Sequence, residues 1–517
     1  MSPNIKVDVV IAAAGSGERM KTVNSEIHKA LLPYNVKPIL WYIVSSISES
    51  QNIGVLLGHR ATQIKYFLEI SFPHRNFTFI YVDDWTSEKS GTGYSLLAAK
   101  ELVNESFWYL PCDGIIDGLI IDSHFEVELD QIFVQETDGA EASNYAWFPT
   151  QEAERNIKKF KEFTEDDKVL AFTGVMQINS AADFFSRLEA SESNEFIPAL
   201  SEQSELVRIS SWKDFGTPEK YYGALNESDD FNFTKSNELT YELPTTIVKW
   251  WSDKRLPLQK LSKPKASPDI FPPDVSILGP YLYYTKVRGE SFYESVTPQL
   301  FSNLLRHLGE NLWVHSDVEI RKDSLEFYES KSNERLAKML EQGLGALEQV
   351  TNINGISVER WEDHWMVFDF QEIIENVFTT KIHGDLQFDN IIYDQEVDKF
   401  CLIDWRPNFG TEQVFGDIYY DFAKLLGGIK LNYSQIKKNN FEFNYLDATK
   451  VNFRVPDAPN SEALEKILEE YVESNGFDFT RVKKLVPLIY LNMAPLHESP
   501  FREILWCLFL VGSEDFL

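Results

Sequence analysis

KIHGDLQFDNIIYDQEVDKFCLID, residues Lys381 to Asp404, is the stretch whose reading decides the fold. His383, Gly384 and Asp385 come first, and Asn390 follows Asp385 by five positions. A polar turn then leads into the apolar run Phe400, Cys401, Leu402, Ile403, which ends at Asp404. This spacing has a chemical logic. Phosphoryl transfer needs little covalent help, and its catalysis is mostly positioning and charge neutralisation. One carboxylate must meet the acceptor hydroxyl while an amide and a second carboxylate hold Mg2+. Asp385 suits the first task, and Asn390 and Asp404 suit the second. The apolar segments Ile391 to Tyr393 and Phe400 to Ile403 read as strands that frame the loop.

An Asp-x4-Asn interval followed by a further Asp is the catalytic-loop interval of kinases. With Asp404-Trp405 in place of Asp-Phe-Gly, the stretch resembles the aminoglycoside phosphotransferase and choline kinase family. The resemblance implies a protein-kinase-like, two-lobed α+β domain that uses ATP and Mg2+, with His383 in a supporting role. Upstream, SNELTYEL and TTIVKWW, within Phe233 to Trp251, read as strands of a small N-lobe. Lys249 stands there as the β3 lysine of a kinase does, in contact with the α- and β-phosphates. The segment from Asp253 to Pro273 contains five prolines and no glutamate, so no partner that orients this lysine is visible. SILGPYLYYTKVRGESFYE, from Ser276, resembles the family's hinge strand. Downstream, Asp417 resembles the family's late Asp that supports the catalytic loop. Asp421 and Lys424 read as a helix-surface pair, and Arg406 receives no role. Helical spacing recurs over Leu300 to Trp313, Glu334 to Leu347, Ser461 to Ser474 and within Arg481 to Leu510.

In the N-terminal half, Val7 to Ala14 is an apolar strand suited to the centre of a parallel sheet. It runs into AAAGSGERM, where Ala14, Gly15, Ser16 and Gly17 form a turn whose free N–H groups can cradle a phosphate. Arg19 and Lys29 add cations. Three landmarks follow: GTGYSLLAAK from Gly91 and Thr92, the strand Phe107 to Leu110 running into Pro111-Cys112-Asp113, and WKDFGTPEKYYGAL from Trp212 to Leu225, which contains Asp214. Together they resemble the GT-A-like nucleotidyltransferases that join a phosphorylated small molecule to a nucleoside triphosphate, over residues 5 to 225. The resemblance implies that Lys29 is catalytic, that the turn at 14–17, Arg19, Gly91 and Thr92 bind nucleotide, and that Asp113 and Asp214 hold Mg2+. Where those enzymes read Pro-Lys, this chain has His28-Lys29. A dinucleotide fingerprint fits poorly, because Met20 stands where its third glycine belongs. Asn144 to Phe148 and Val169 to Ile178 read as strands, with Gly174 a point of close approach. The acidic stretch Glu152 to Asp166, with Lys158, Lys159 and Lys161, reads as a solvated helix face.

At 517 residues the chain is too long for one core. The acidic run Asn226 to Asp230 marks a boundary, giving a Rossmann-like α/β domain over 1–228 and a kinase-like domain over 229–517, its lobes meeting near residue 287. A net charge of −31 argues against nucleic acid or an anionic membrane as partner. Cys112, Cys401 and Cys507 show no zinc or CxxC spacing, which points to a reducing, cytoplasmic setting. The longest late apolar run, Ile504 to Gly512, is too short to cross a bilayer. The expected partners are nucleotides and a small-molecule acceptor; oligomerisation stays open.

A kinase makes a phosphomonoester and a nucleotidyltransferase consumes one. The pairing resembles fused cytidylyltransferase–choline kinases of bacterial surface-polysaccharide synthesis. It implies phosphorylation of a small alcohol, sugar or amine by ATP, then coupling of the product to CTP for capsule precursor synthesis. Trp361, Trp365, Trp405, Tyr419 and Tyr420 offer an aromatic cage for a quaternary ammonium, or else core. Two other readings are an antibiotic-inactivating kinase with an unrelated N-terminal domain, and a non-catalytic scaffold of degenerate domains.

Overall fold

The computed structural model describes residues 6–83, 85–86, 91–122, 128–138, 145–149, 168–191, 196–201, 203–225, 237–366 and 368–513. The readings that fall on Asn144, on Glu152 to Asp166 with its lysines, on the junction Asn226 to Asp230 and on Phe233 lie outside these residues. The chain forms two compact units. The first comprises Met1–Ser228, Ser236–Ser252 and Leu278–Tyr283; the second comprises Asp229–Lys235, Asp253–Ile277 and Tyr284–Leu517.

The first unit is built on a sheet of eight strands: β1 (Val7–Ala13), β2 (Ile53–Leu57), β3 (Phe77–Tyr81), β4 (Val103–Pro111), β5 (Gln131–Asp138), β6 (Trp147–Pro149), β7 (Lys168–Ile178) and β8 (Glu205–Arg208). Their order is β8-β5-β7-β4-β1-β2-β3, with β6 on β7. β1 pairs in parallel with both β2 and β4, whereas β7 runs antiparallel to β4 and β5. The chain leaves β1 towards one edge and returns on its other side, so the carboxyl ends of β1 and β4 open at a topological switch point, where open α/β sheets bind ligands. The turn at 14–17 follows β1, and Asp113 follows β4.

Alternation along β1 fills a core on each face: Val9, Ile11 and Ala13 in one, Val10 and Ala14 in the other. Each fully buried Val or Ile contributes about 1.5–3 kcal/mol. Gly174 bears out the close approach expected of it. Its φ of +85° lets β7 pass Pro111, where a Cβ would lie 3.1 Å from the ring. The hairpin of β9 (Glu238–Glu242) and β10 (Thr246–Trp251), read from sequence as small-lobe strands, packs into the first unit. Leu239, Tyr241, Val248 and Trp250 share a core with Val9 and Ile11. The Tyr241 hydroxyl donates to the Leu31 carbonyl at 2.5 Å, which removes the cost of burying it unpaired.

In the second unit, β11 (Thr379–Lys381) pairs with β14 (Phe415–Asp417), while β12 (Ile391–Asp394) and β13 (Lys399–Leu402) form a hairpin. Between β11 and β12 runs the 383–390 loop. The helices α1 (Pro298–Asn311), α2 (Lys331–Glu341), α3 (Ile418–Lys430), α4 (Ser461–Ser474), α5 (Phe479–Met493) and α6 (Phe501–Ser513) surround it. α1 starts as its sequence dictates: Pro298 occupies the first turn, and the Thr297 hydroxyl accepts from Leu300 N at 3.1 Å. α3 is capped by Asp417 and buried from Ile418 to Ile429, so it forms the spine of the unit. A π-helical turn, Leu325–Ser330, feeds into α2. Such turns are frequent at functional sites because they redirect side chains; this one buries Phe327 and Tyr328. Among the described residues, no helix is long and apolar enough to cross a membrane.

Candidate active sites

At the carboxyl end of β1, Gly17 adopts a left-handed conformation, φ +63°, and a Cβ there would press on the Lys29 side chain at 3.3 Å. Lys29 therefore lies directly over the turn. A Cβ on Gly15 would meet nothing within 4 Å, so the backbone there is open to a ligand. The Lys29 ammonium lies 2.5 Å from Asp113 Oδ2. Burial opposes both charges, but each outweighs that penalty for the other, holding Lys29 above and Asp113 below its ordinary pKa. His28, which replaces the usual proline, is fully buried and braces the same segment. Its N–H donates to Gln63 Oε1 at 2.9 Å, and its Nδ1 accepts from Ala30 N at 3.1 Å. Burial and the neighbouring Lys29 charge lower its pKa to about 3, so the ring is neutral near pH 7.

Asp214, on a short strand Trp212–Asp214 paired with Gly114–Ile116, faces the same spot as Asp113. Around the place a Cβ on Gly216 would occupy stand Asp214 Oδ1 at 3.0 Å, Asp113 Oδ2 at 3.6 Å and Arg19 Nη2 at 3.8 Å. The structure thus brings together Arg19, Lys29, Asp113 and Asp214. Two partners escaped the sequence reading: Asp214 Oδ2 accepts from Lys220 Nζ at 2.8 Å and from the Tyr145 hydroxyl at 2.7 Å. Burial, with the nearby Asp113 charge, raises the Asp214 pKa to about 6 against the hydrogen bond from Gly216 N. Gly91 caps the helix Thr92–Leu97, and Thr92 is its first residue. Lys249 lies on β10 opposite Thr240, buried within the first unit.

The second unit gathers the motif from which the sequence reading began. Asn390 Nδ2 donates to the Asp385 carbonyl at 2.8 Å, which leaves the Asn390 amide oxygen for other partners. Asp404 closes the loop after β13 with a left-handed φ of +56°. Ile403 N donates to Asn390 O at 2.9 Å, tying the two segments together. His383 is wholly buried: its Nε2 donates to the Ile403 carbonyl at 2.8 Å and its Nδ1 accepts from Asp385 N at 3.2 Å. Burial, joined by the Lys263 charge, lowers its pKa to about 3, so it serves as a neutral strut. Asp417 is likewise buried, accepting from the Tyr328 hydroxyl at 2.9 Å and Phe378 N at 3.1 Å, and pairing with Arg481 at 3.2 Å.

The expected surface pair Asp421 and Lys424 is corrected by the structure. Both are buried and both serve the loop. Asp421 accepts from His383 N at 2.9 Å, Gly384 N at 2.8 Å and the Trp313 indole at 3.1 Å, and so fixes the loop backbone. Lys424 Nζ stands 2.7 Å from Asp385 Oδ1. Burial would raise the Asp385 pKa, but the Lys424 charge and hydrogen bond bring it down to about 2. From the segment Asp253 to Pro273 come two buried lysines. Lys263 donates to the His383 carbonyl at 3.0 Å and Lys260 to the Trp405 carbonyl at 2.7 Å. The signal for Asp421 and Lys424 was the placing of charged residues inside an apolar helical stretch, DFAKLLGG.

The aromatic residues form no common cage. Trp405 is buried and bonded to Lys260 O, Trp361 packs on Trp506, Trp365 on Phe368 and Phe370, Tyr419 on Phe422 and Phe477, and Tyr420 on Phe327 and Tyr328.

Among the described residues no group of three or more His, Cys, Asp or Glu forms a ready metal cluster. The donors present at each site, Asp113 with Asp214 and Asn390 with Asp404, offer only oxygen. That is the donor chemistry of a hard dication such as Mg2+, which keeps waters and phosphate oxygens as its other ligands.

Residues 261–450 match the model of the phosphotransferase enzyme family. The N-terminal half is similar to a UTP–glucose-1-phosphate uridylyltransferase, AglF, of Haloferax volcanii, with 22% identity over 229 residues, 41% of this chain and 93% of that protein. It is also similar to the bifunctional protein GlmU of Methanococcus aeolicus, with 26% identity over 225 residues, 41% of this chain and 52% of that one. Among solved structures, the UTP-bound UGPase from Acinetobacter baumannii matches with a TM-score of 0.35 and 18% identity, covering 43% of this chain and 93% of that one. The chain is a two-part transferase. Residues 261–450 are a kinase-type domain of the phosphotransferase enzyme family, and the N-terminal part is of nucleotidyltransferase type.

Proposed function

We propose that the two halves act in sequence. The C-terminal domain, from about residue 229, phosphorylates a small hydroxylated acceptor with ATP, and the N-terminal domain transfers a nucleotidyl group to the resulting phosphomonoester. CTP as the nucleotide, a cytoplasmic setting and a role in surface-polysaccharide precursor synthesis complete the reading. The observation that carries it is the coexistence in one chain of two oxygen-donor sites, each with a carboxylate held ionised by a lysine, Asp113 by Lys29 at 2.5 Å and Asp385 by Lys424 at 2.7 Å.

In the first step Asp385 takes the proton of the acceptor hydroxyl as its oxygen bonds to the γ-phosphorus. The bond from that phosphorus to the bridging oxygen breaks, and ADP leaves with the electron pair. Lys424 keeps Asp385 ionised and places a cation beside the transferring group. In the second step an oxygen of the phosphomonoester bonds to the α-phosphorus of the nucleoside triphosphate, and pyrophosphate leaves. Lys29 and Arg19 face the charge that develops there, while the turn at 14–17 presents backbone N–H groups to phosphate oxygens. Mg2+ held by Asp113 and Asp214, and by Asn390 and Asp404, supplies charge neutralisation when bound.

The test incubates the purified protein with Mg2+, ATP and CTP, UTP or GTP, separately and together, over a panel of hydroxylated acceptors. A nucleotide-linked product that requires both ATP and a second nucleotide, with pyrophosphate released, is the expected result. ADP formation with no nucleotide adduct under any pairing overturns the sequential reading.

A further inference from the structure

We propose that the acceptor phosphorylated by the second unit carries an anionic group beside its reacting hydroxyl, held by Lys331, Arg335 and Arg406. The inference rests on the phosphotransferase reading of that unit and adds the class of its substrate.

The cations converge by geometry. Lys331 Nζ lies 4.3 Å from the centroid of the Phe327 ring, and the Arg406 guanidinium carbon lies 4.9 Å from the same ring. Phe327 is fixed by stacking on Phe409 at 4.2 Å and by an edge contact with Tyr420 at 4.8 Å, so it holds both cations in place. Arg335 follows Lys331 by one turn of α2, on the same helix face. Arg406 passes over the catalytic loop: a Cβ on Gly384 would meet the Arg406 Cβ at 2.9 Å. Lys424 completes the group through its ion pair with Asp385.

Among the described residues, the ion pair in this group of four cations is that of Lys424 with Asp385. No described carboxylate forms an ion pair with Lys331, Arg335 or Arg406; Glu334 lowers the field at Arg335 without pairing with it. The Nε atoms of Arg335 and Arg406 are buried with no hydrogen-bond partner. Partly buried like charges repel, and such crowding is costly unless an anion enters. The effect is visible at Lys331, whose pKa falls well below the ordinary lysine value through burial and the charges of Arg406, Lys424 and Arg335. In a chain with 80 acidic and 49 basic side chains, this local excess of cations runs against the overall charge. Any acceptor whose hydroxyl reaches the Asp385 carboxylate lies among them. A cationic acceptor such as choline is repelled there, and the dispersed aromatic residues offer it no cage in return.

The test uses the full-length protein saturated with MgADP and titrates glycerate, inorganic phosphate, glycerol and choline by calorimetry. It is repeated on the Lys331→Gln/Arg335→Gln variant and on Lys331→Arg. Glycerate or phosphate should bind about tenfold or more tighter than glycerol or choline, and the double substitution should lose that margin while Lys331→Arg retains it. The two anions separate a carboxylate from a phosphate requirement. Equal binding of all four ligands, preference for choline, or anion binding untouched by the double substitution overturns the inference. If the wild-type protein fails to bind MgADP or MgATP at all, the phosphotransferase reading itself falls instead.

Discussion

Lys424 Nζ lies 2.7 Å from Asp385 Oδ1, joining the middle of a buried helix to the catalytic loop. The contact holds the Asp385 carboxylate ionised, and in the proposed mechanism that carboxylate receives the acceptor's proton. Replacing Lys424 by Met should lower kcat/KM for ADP formation by about 10²-fold. The rate of pyrophosphate release from a supplied phosphomonoester should not change. Steady-state rates of both half-reactions on the one variant check this, and a wild-type rate of ADP formation would remove Lys424 from the mechanism.

Asp421 tests the support of the loop. Its carboxylate satisfies two backbone N–H groups and one indole, all buried. Asp421→Ala strands them and should destabilise the second unit by about 3–5 kcal/mol, whereas Asp421→Asn, which keeps an acceptor oxygen, should cost less than half of that. Urea unfolding of both variants reads the difference. A loss of under about 0.5 kcal/mol for Asp421→Ala would place this residue among ordinary surface positions.

Lys263 gives a pH signature. Burial, helped by the Arg406 and Lys260 charges and opposed by Asp421, lowers its pKa from 10.5 to about 7. Between those values the unfolded chain binds more protons than the folded one, so this residue's contribution to stability rises with pH across that window and is lost as pH falls through 7. The stability of the wild type relative to Lys263→Met should therefore increase between pH 7 and pH 10. Parallel curves for the two proteins over that range would contradict the buried lysine.

In the first unit, Asp113→Asn leaves the Lys29 ammonium without its carboxylate and removes a charged oxygen from the site. Nucleotidyl transfer should fall by about 10²–10³-fold, with ATP consumption by the other half unaffected. Lys220→Met should have a smaller effect through Asp214, to which it donates at 2.8 Å. Pyrophosphate release measured against ADP release on each variant separates the two halves. A parallel loss of both activities would contradict their independence.

Local pattern made part of this legible. The strand before the turn at 14–17, the end of the strand at Asp113 and the loop from His383 to Asn390 are each carried by short stretches whose residue types state their chemistry, whereas the pairing of Asp113 with Lys29, 84 residues apart, is not. Asp214 also fell in a short motif, but its meeting with Asp113 depends on the return of a distant strand to the end of β4, which periodicity does not encode. Lys424 and Asp421 were misread because three-residue spacing is the same on an exposed face and on a helix buried all round. The direction of α3 towards the loop is set by tertiary packing. The strands Glu238–Glu242 and Thr246–Trp251 were read correctly as strands, yet the core they enter is chosen by Tyr241 and Trp250 fitting cavities formed by residues far upstream.

In the proposed sequence the phosphoryl group made by one half is consumed by the other. The direct measurement is the fate of label from ATP carrying 32P in the γ position, incubated with the full-length protein, Mg2+, an acceptor that supports ADP formation, and CTP, UTP or GTP. The account predicts that the label appears in the nucleotide-linked product, in the phosphate joined to the acceptor, and that Asp385→Asn abolishes this while a supplied phosphomonoester restores the unlabelled product. Label that stays in a free phosphomonoester with every nucleotide, or a nucleotide-linked product that forms without it, would contradict the account.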